Sequence, residues 1–177
     1  MAIELYKNLK RTKGYRLFLN CLLSSIQLGI NRSTYQKNLK HVYGDCIPPI
    51  KEVIEDFRTV ELRFPRQMGK TLCLVETFAN DPICVDNKVA MIYFGEEFIT
   101  DSRFIEAISK NGNCFNFQQL KPQEFVEIIN NNKVVIINSI HQNKSMVFVK
   151  EFIDHLHNKV GNLAFDINKL PLFVVVK

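Results

Sequence analysis

The first third of the chain places apolar residues at the spacing of α-helices. Over Tyr15–Ile30, large apolar residues recur three or four positions apart, which predicts a helix with a buried face. They are Leu19, Leu22, Leu23 and Ile26. A second helix is expected to follow a cap at Asn31 or Ser33 and to run to about Tyr43, and a short helix is expected over Ile50–Phe57.

From residue 60 onward, short apolar runs alternate with amphipathic stretches. The predicted strands are Val60–Phe64, Lys88–Phe94, Val134–Ile137 and Leu172–Val176. The predicted helices are Lys70–Ala79, Glu97–Asn111, Pro122–Asn130 and Met146–Lys159. This alternation predicts an α/β fold with a mainly parallel sheet. A basic N-terminal helical segment (residues 1–50) is expected to precede the α/β core (residues 51–177), which we expect to be one compact unit.

The segment between the first strand and its helix has the sequence Arg63-Phe64-Pro65-Arg66-Gln67-Met68-Gly69-Lys70-Thr71. A strand, a loop ending in Gly-Lys-Thr and a helix form the context of a phosphate-binding loop, because a helix start offers unpaired N–H groups and a positive dipole end. Gly69 would let the backbone approach phosphate oxygens, Lys70 would reach the β- and γ-phosphates, and Thr71 would hold Mg²⁺. However, Phe64 stands where the full motif has its first glycine. An ordinary strand-to-helix turn with a surface lysine is the alternative.

Hydrolysis of ATP needs acidic groups in addition to the loop. The strand Val134–Ile137 ends in Asn138, where a P-loop ATPase has an aspartate that holds Mg²⁺ through water. Asn138 can hydrogen-bond such a water but carries no charge. Glu96, after a second apolar strand, is a candidate general base, or else it is part of the acidic first turn of the next helix. ATP binding is therefore better supported than turnover, and any ATPase activity is expected to be weak.

Positive charge is concentrated near the N-terminus. Residues 1–41 contain eight Lys or Arg and one acid, a net charge of +7, whereas the whole chain carries +5 and the remainder therefore −2. Such a segment either contacts the phosphate backbone of DNA or is a solvated surface. The candidate nucleic-acid contacts are Lys7, Lys10, Arg11, Lys13 and Arg16.

The cysteine spacing and the length of the longest apolar stretch bear on zinc binding, disulfide bonds and membrane insertion. The five cysteines have neither close pairing nor zinc-ligand spacing, which is typical of reduced thiols in the cytoplasm. The apolar stretch Leu17–Ile30 has 14 residues and includes polar side chains, whereas a membrane-spanning helix needs about 20 apolar residues. We therefore expect a core helix there and no membrane partner.

The loop Arg66-Gln67-Met68-Gly69-Lys70-Thr71 resembles the ATPase domain of viral terminase large subunits, the DNA-packaging motors of tailed phages. The resemblance is sharp over the loop and looser over Ile54–Ser109, where the elements follow in the expected order. It implies a P-loop NTPase-like three-layer sandwich, ATP and Mg²⁺ as cofactors, and DNA as a partner. Gln67, Gly69, Lys70 and Thr71 would bind the nucleotide, and Arg66 would sense or stabilise the γ-phosphate.

The same resemblance has gaps. The family's coupling segment and nuclease domain have no counterpart in these 177 residues. Three functions stay open: an ATP-binding protein related to packaging motors and acting with DNA, an inactive interaction, regulatory or structural virion protein on the same fold, and a basic nucleic-acid-binding module without nucleotide. A phage or host protein is a candidate partner, and the expected location is the host cytoplasm or the virion.

Overall fold

The centre of the molecule is a five-stranded sheet in which every strand is parallel to its neighbours. The computed structural model describes residues 12–46, 48–65, 69–93, 113–138 and 167–176. Within these ranges the strands are β1 (Thr59–Leu62), β2 (Val89–Tyr93), β3 (Cys114–Asn116), β4 (Val134–Asn138) and β5 (Leu172–Val176). They lie in the order β1-β5-β4-β2-β3. The predictions of an α/β fold and of a parallel sheet are confirmed.

Helices cover both faces of this sheet. They are α1 (Lys13–Ile30), α2 (Ser33–Tyr43), α3 (Ile50–Glu52), which continues as a π-helical turn (Val53–Phe57), α4 (Lys70–Asn80), α5 (Pro82–Val85) and α6 (Pro122–Asn131). Two 3₁₀ turns lie at Phe117–Gln119 and Ile167–Lys169. The helices predicted over Glu97–Asn111 and Met146–Lys159 fall outside the described residues.

Among the described residues, one strand and one helix were not predicted from the sequence, and neither were the two 3₁₀ turns. The edge strand β3 has only three residues, too few to show a period. The helix α5 was not predicted, although α4 does end at Asn80, where Asn80-Asp81-Pro82 is a typical helix stop. The same residues also start α5: the Asp81 side chain accepts a hydrogen bond of 2.9 Å from the Ile83 amide, and Pro82 occupies the first helical position, where it needs no N–H partner.

The buried side of α1 is narrower than its composition suggests. The residues that face the sheet are Tyr15, Phe18, Leu22, Ser25, Ile26 and Gly29. Leu19 and Leu23, which the pattern placed on the buried side, lie beside this stripe and are partly exposed. At Gly29 the helix backbone lies so close to the sheet that a Cβ atom would come within 2.5 Å of Val134 Cγ2 and 2.8 Å of Leu172 Cβ.

The side-chain alternation of the strands divides the core into two clusters. On one face, α1 and α4 pack on every second residue of the strands, among them Leu62, Ile136 and Val176. On the other face, α2 and α6 pack on the alternate residues, including Ile137 and Val175. Because Val134 and Leu172 begin their strands and contact Gly29, α1 runs antiparallel to the sheet and starts near its carboxyl edge.

A buried arginine joins the second face to the start of β5. Arg58 is 1% exposed and donates hydrogen bonds to the carbonyl oxygens of Leu170, at 2.8 and 3.1 Å, and Pro171, at 3.2 Å. Its guanidinium lies 4.4 Å from the ring centre of Tyr35 in α2. Burial lowers the pKa of Arg58 to about 10, so the side chain keeps its charge at neutral pH.

Candidate functional site at the carboxyl edge of the sheet

The register of the strands brings the loop and the end of β4 to one edge of the sheet. Leu62, the last residue of β1, pairs with Val176 of β5, and Val176 pairs with Asn138 of β4. The row continues through Tyr93 to Asn116. Two strand spacings, about 10 Å, therefore separate the end of β1 from Asn138. Ligands of open parallel sheets bind outside this edge.

The loop enters α4 through a glycine in a conformation that other residues rarely adopt. Gly69 has φ 73° and ψ 24°, in the left-handed region, and directly precedes the first residue of α4. Its carbonyl oxygen accepts the first helical hydrogen bond, from Cys73 N at 2.9 Å. The side chain of the cap residue makes no hydrogen bond to the first helical turn, whose N–H groups point toward the loop because helix N–H groups point toward the helix N-terminus.

Lys70 is a buried residue of this site. It is 7% exposed, and its Nζ donates a hydrogen bond of 2.8 Å to the carbonyl oxygen of Phe64. The side chain therefore lies against the start of the loop, over the end of β1. Lys70 is therefore not a surface lysine, whereas a hydrogen bond to a backbone carbonyl suits both a phosphate-binding loop and an ordinary strand-to-helix turn.

Phe64, the departure from the full motif, has a packing role. Its ring lies edge-on to Phe18 of α1, with 5.2 Å between ring centroids and 78° between planes. It also contacts the core cluster beneath α1 and α4. Among the residues described, Lys88 alone is a non-glycine with positive φ. The backbone at position 64 thus does not need a glycine.

Asn138 is fully buried at the end of β4. Because Val134 and Ile136 face α1 and α4, the alternation of the strand directs Asn138 to the same side as Lys70. Within the described ranges, no group of three or more His, Cys, Asp or Glu side chains is arranged to hold a metal ion. Two oxygen groups among the described residues near the start of α4 and the end of β4 are the Thr71 hydroxyl and the Asn138 amide. Both are hard, neutral ligands that suit Mg²⁺ when phosphate supplies the negative charge.

The exposed start of α1 lies at this edge too. The hydroxyl of Tyr15 donates a hydrogen bond of 3.1 Å to Glu76 in α4, and the ring of Phe18 meets Phe64. Burial and the neighbouring Glu76 raise the pKa of Tyr15 well above its usual value, so the hydroxyl stays a donor. Lys13 and Arg16, both exposed, flank Tyr15 on the helix. Two of the candidate nucleic-acid contacts therefore lie on the turns of α1 that pack against Phe64 and α4.

The other site residues expected from the sequence lie outside the described ranges. These are Arg66, Gln67 and Glu96 of the nucleotide site, and Lys7, Lys10 and Arg11 of the basic segment. The structure brings together Gly69, Lys70 and Thr71 at the start of α4, and places Asn138 along the same edge.

A cleft at another part of the sheet was not anticipated from the sequence. A cleft of about 580 Å³ lies beside the edge strand β3, at the far end of the sheet from β1. Its polar lining includes Asn113, Asn116, Asn132 and Glu127. Asn113 Nδ2 bonds Asn132 Oδ1 at 2.7 Å and the Val89 carbonyl at 3.0 Å, which holds β3 to its neighbours. The only sequence signal was an abundance of asparagine, which does not indicate a site.

No protein-family model, no curated protein and no solved structure matches the chain. Of the helices that the structure describes, none is long and apolar enough to cross a membrane. The case for a function therefore rests on the residues at the carboxyl edge.

Proposed function

We propose that the protein binds ATP together with Mg²⁺ through the loop between β1 and α4. The observation that carries this proposal is the burial of Lys70 at the first position of α4, directly after a left-handed Gly69 and at the carboxyl edge of the sheet. A buried ammonium, the positive end of a helix dipole and a glycine that permits close backbone approach are three parts of a phosphate site.

Each residue has a distinct task in this site. The first-turn N–H groups of α4 and the helix dipole attract phosphate oxygens, and Gly69 leaves space for them. Lys70 supplies a positive charge to the β- and γ-phosphates. The Thr71 hydroxyl contacts Mg²⁺, which neutralises phosphate charge when it is bound with ATP. Arg66 and Gln67 complete the loop in the terminase-like sequence.

The finer fold and the biological role follow from the resemblance of the loop to terminase ATPase domains. A parallel sheet with helices on both faces is compatible with a P-loop NTPase-like sandwich. We infer a protein of phage origin that works with DNA in the host cytoplasm. The exposed Lys13 and Arg16 support this inference, because they put positive charge on the helical turns that pack against Phe64 and α4.

A second candidate function is favoured by Asn138. At the position where a motor has an acid, this side chain is neutral and fully buried. The amide can accept or donate hydrogen bonds but cannot supply the charge that holds Mg²⁺ during hydrolysis. A protein that binds nucleotide without turnover, and regulates a partner or forms part of a virion, fits this substitution. Glu96 is the remaining candidate for a catalytic base.

The proposal is tested by equilibrium binding of a fluorescent ATP analogue, with and without Mg²⁺. We expect saturable binding that Mg²⁺ strengthens and that Lys70→Ala abolishes. Lys37→Ala is the matched control, since Lys37 is an exposed lysine of α2 on the opposite face. ATP hydrolysis measured on the same samples separates the two candidates. An absence of binding to the wild-type protein would refute both.

A further inference from the structure

Helix α1 contacts the candidate phosphate site on both sides of the loop. The ring of Phe18 packs edge-on against Phe64, just before the loop, and the hydroxyl of Tyr15 bonds Glu76, in the helix that follows it. Both contacts lie in the first two turns of α1. The far end of α1 is held separately, where Gly29 lies against β4 and β5.

Phe64 connects the position of Lys70 to the position of α1. Its backbone carbonyl accepts the Lys70 ammonium at 2.8 Å, while its side chain fills the space against Phe18. A displacement of Phe64 therefore affects two contacts at once. Since a glycine at this position would have no ring, the connection depends on the departure from the full phosphate-loop motif.

We propose that α1 senses whether the loop holds a nucleotide, through the contacts from Lys70 to Phe64 and from Phe64 to Phe18. This inference rests on the proposed function. A phosphate group attracts the Lys70 ammonium more strongly than a neutral carbonyl does, because the hydrogen bond then joins two opposite charges. Binding draws Lys70 away from Phe64, and the Phe64 segment loses one of the contacts that hold it in place beside α1.

The coupling must act in both directions. If nucleotide binding weakens the packing of Phe64 on Phe18, then weakening that packing must strengthen nucleotide binding by the same factor. The nucleotide changes the state of α1 only to the extent that it binds the two states with different affinities. The affinity of a variant in which the ring contact is already lost therefore measures the coupling.

The responding part of α1 is the part with exposed positive charge. Lys13 lies two residues before Tyr15 and Arg16 two residues before Phe18, and both are exposed. A change in the packing of the first two turns therefore changes the positions of these two charges near the carboxyl edge of the sheet.

The test compares two phenylalanine substitutions in the same core cluster. Phe18→Leu removes the ring contact with Phe64 but keeps an apolar side chain. Phe78→Leu, in α4, makes the same chemical change at another fully buried position of the cluster and serves as the control for general destabilisation. We expect Phe18→Leu to bind the ATP analogue about threefold to tenfold more tightly than the wild type, and Phe78→Leu to bind within about twofold of it.

Hydrogen exchange of the wild-type protein gives an independent measurement. Addition of the ATP analogue with Mg²⁺ is expected to speed amide exchange in the first two turns of α1 and to leave the last turn, near Gly29, unchanged. If the wild type binds the analogue but Phe18→Leu behaves as Phe78→Leu does, or binds more weakly, the coupling is wrong and the proposed function stands. If the wild type does not bind, both are wrong.

Discussion

Lys70 Nζ donates a hydrogen bond of 2.8 Å to the carbonyl oxygen of Phe64, six positions earlier in the chain. This hydrogen bond joins the two ends of the loop, because Phe64 follows β1 and Lys70 is the first residue of α4. Phe64 occupies the position of the first motif glycine, and its ring is used for packing against α1. The degenerate motif is thus compatible with a closed loop, because the backbone carbonyl, which every residue has, makes the contact with lysine.

The first prediction concerns the end of β4. Asn138→Asp places a carboxyl group in a fully buried position on the side of the sheet that Lys70 occupies. Without Mg²⁺ we expect a lower melting temperature, since a buried carboxylate is costly. With Mg²⁺ the affinity for the ATP analogue should rise by about tenfold, which corresponds to about 1.4 kcal/mol. Thermal unfolding and equilibrium binding, each with and without Mg²⁺, measure these effects.

The matched control for that substitution is Asn116→Asp. Asn116 is another buried asparagine in the same row of the sheet, at the end of β3 and far from β1. It should show the loss of stability without any gain in Mg²⁺-dependent binding. Equal behaviour of the two variants would remove Asn138 from the nucleotide site.

A second prediction concerns DNA. The double variant Lys13→Ala, Arg16→Ala removes two exposed charges from the turns of α1 that pack against Phe64 and α4. If both contact DNA phosphates, the slope of log K against log salt should become less steep by about two. The control is Lys37→Ala, Lys40→Ala, which removes the same charge from α2. Identical slopes for the two double variants would argue against a specific contact surface at the start of α1.

A third prediction tests how α1 is held on the sheet. Gly29→Ala would put a Cβ atom 2.5 Å from Val134 Cγ2 and 2.8 Å from Leu172 Cβ, so the helix or the strands must move. We expect the free energy of unfolding to fall by about 1–3 kcal/mol in urea titrations, despite the better helix propensity of alanine. Ser24→Ala, at an exposed position of the same helix, should not destabilise the protein. A neutral Gly29→Ala would mean that α1 packs less closely than the structure describes.

The sequence predicted best those elements that have a long hydrophobic pattern with turn residues at both ends. The span of α2 and the strands Val134–Ile137 and Leu172–Val176 were predicted from periodicity, apolar runs and turn residues alone, and the structure has them within one residue of those bounds. Short elements such as Cys114–Asn116 escape this reasoning, because three residues show no period and their placement depends on contacts distant in the chain.

The candidate site was only partly predictable. Gly69, Lys70 and Thr71 were identified from local sequence, since a helix start depends on neighbouring residues. The packing of Phe64 on Phe18 could not be foreseen, because it joins residues 46 positions apart in the chain. The buried cation at Arg58 was also missed. Its partners are backbone carbonyl groups of the segment before β5, and because every residue has such a group, the sequence does not show which ones accept from Arg58.

The central claim, that the start of α4 binds the phosphates of ATP, is tested most directly by calorimetric titration with inorganic triphosphate and with ATP, both with Mg²⁺. Wild-type protein, Lys70→Ala and Lys70→Met are compared. Lys70→Met keeps the buried apolar part of the side chain and removes its charge. We predict that both ligands bind the wild type, that adenosine does not compete with triphosphate, and that each Lys70 variant weakens both ligands at least about tenfold while remaining folded. A wild-type protein that binds neither ligand, or folded Lys70 variants that bind as the wild type does, would contradict the account.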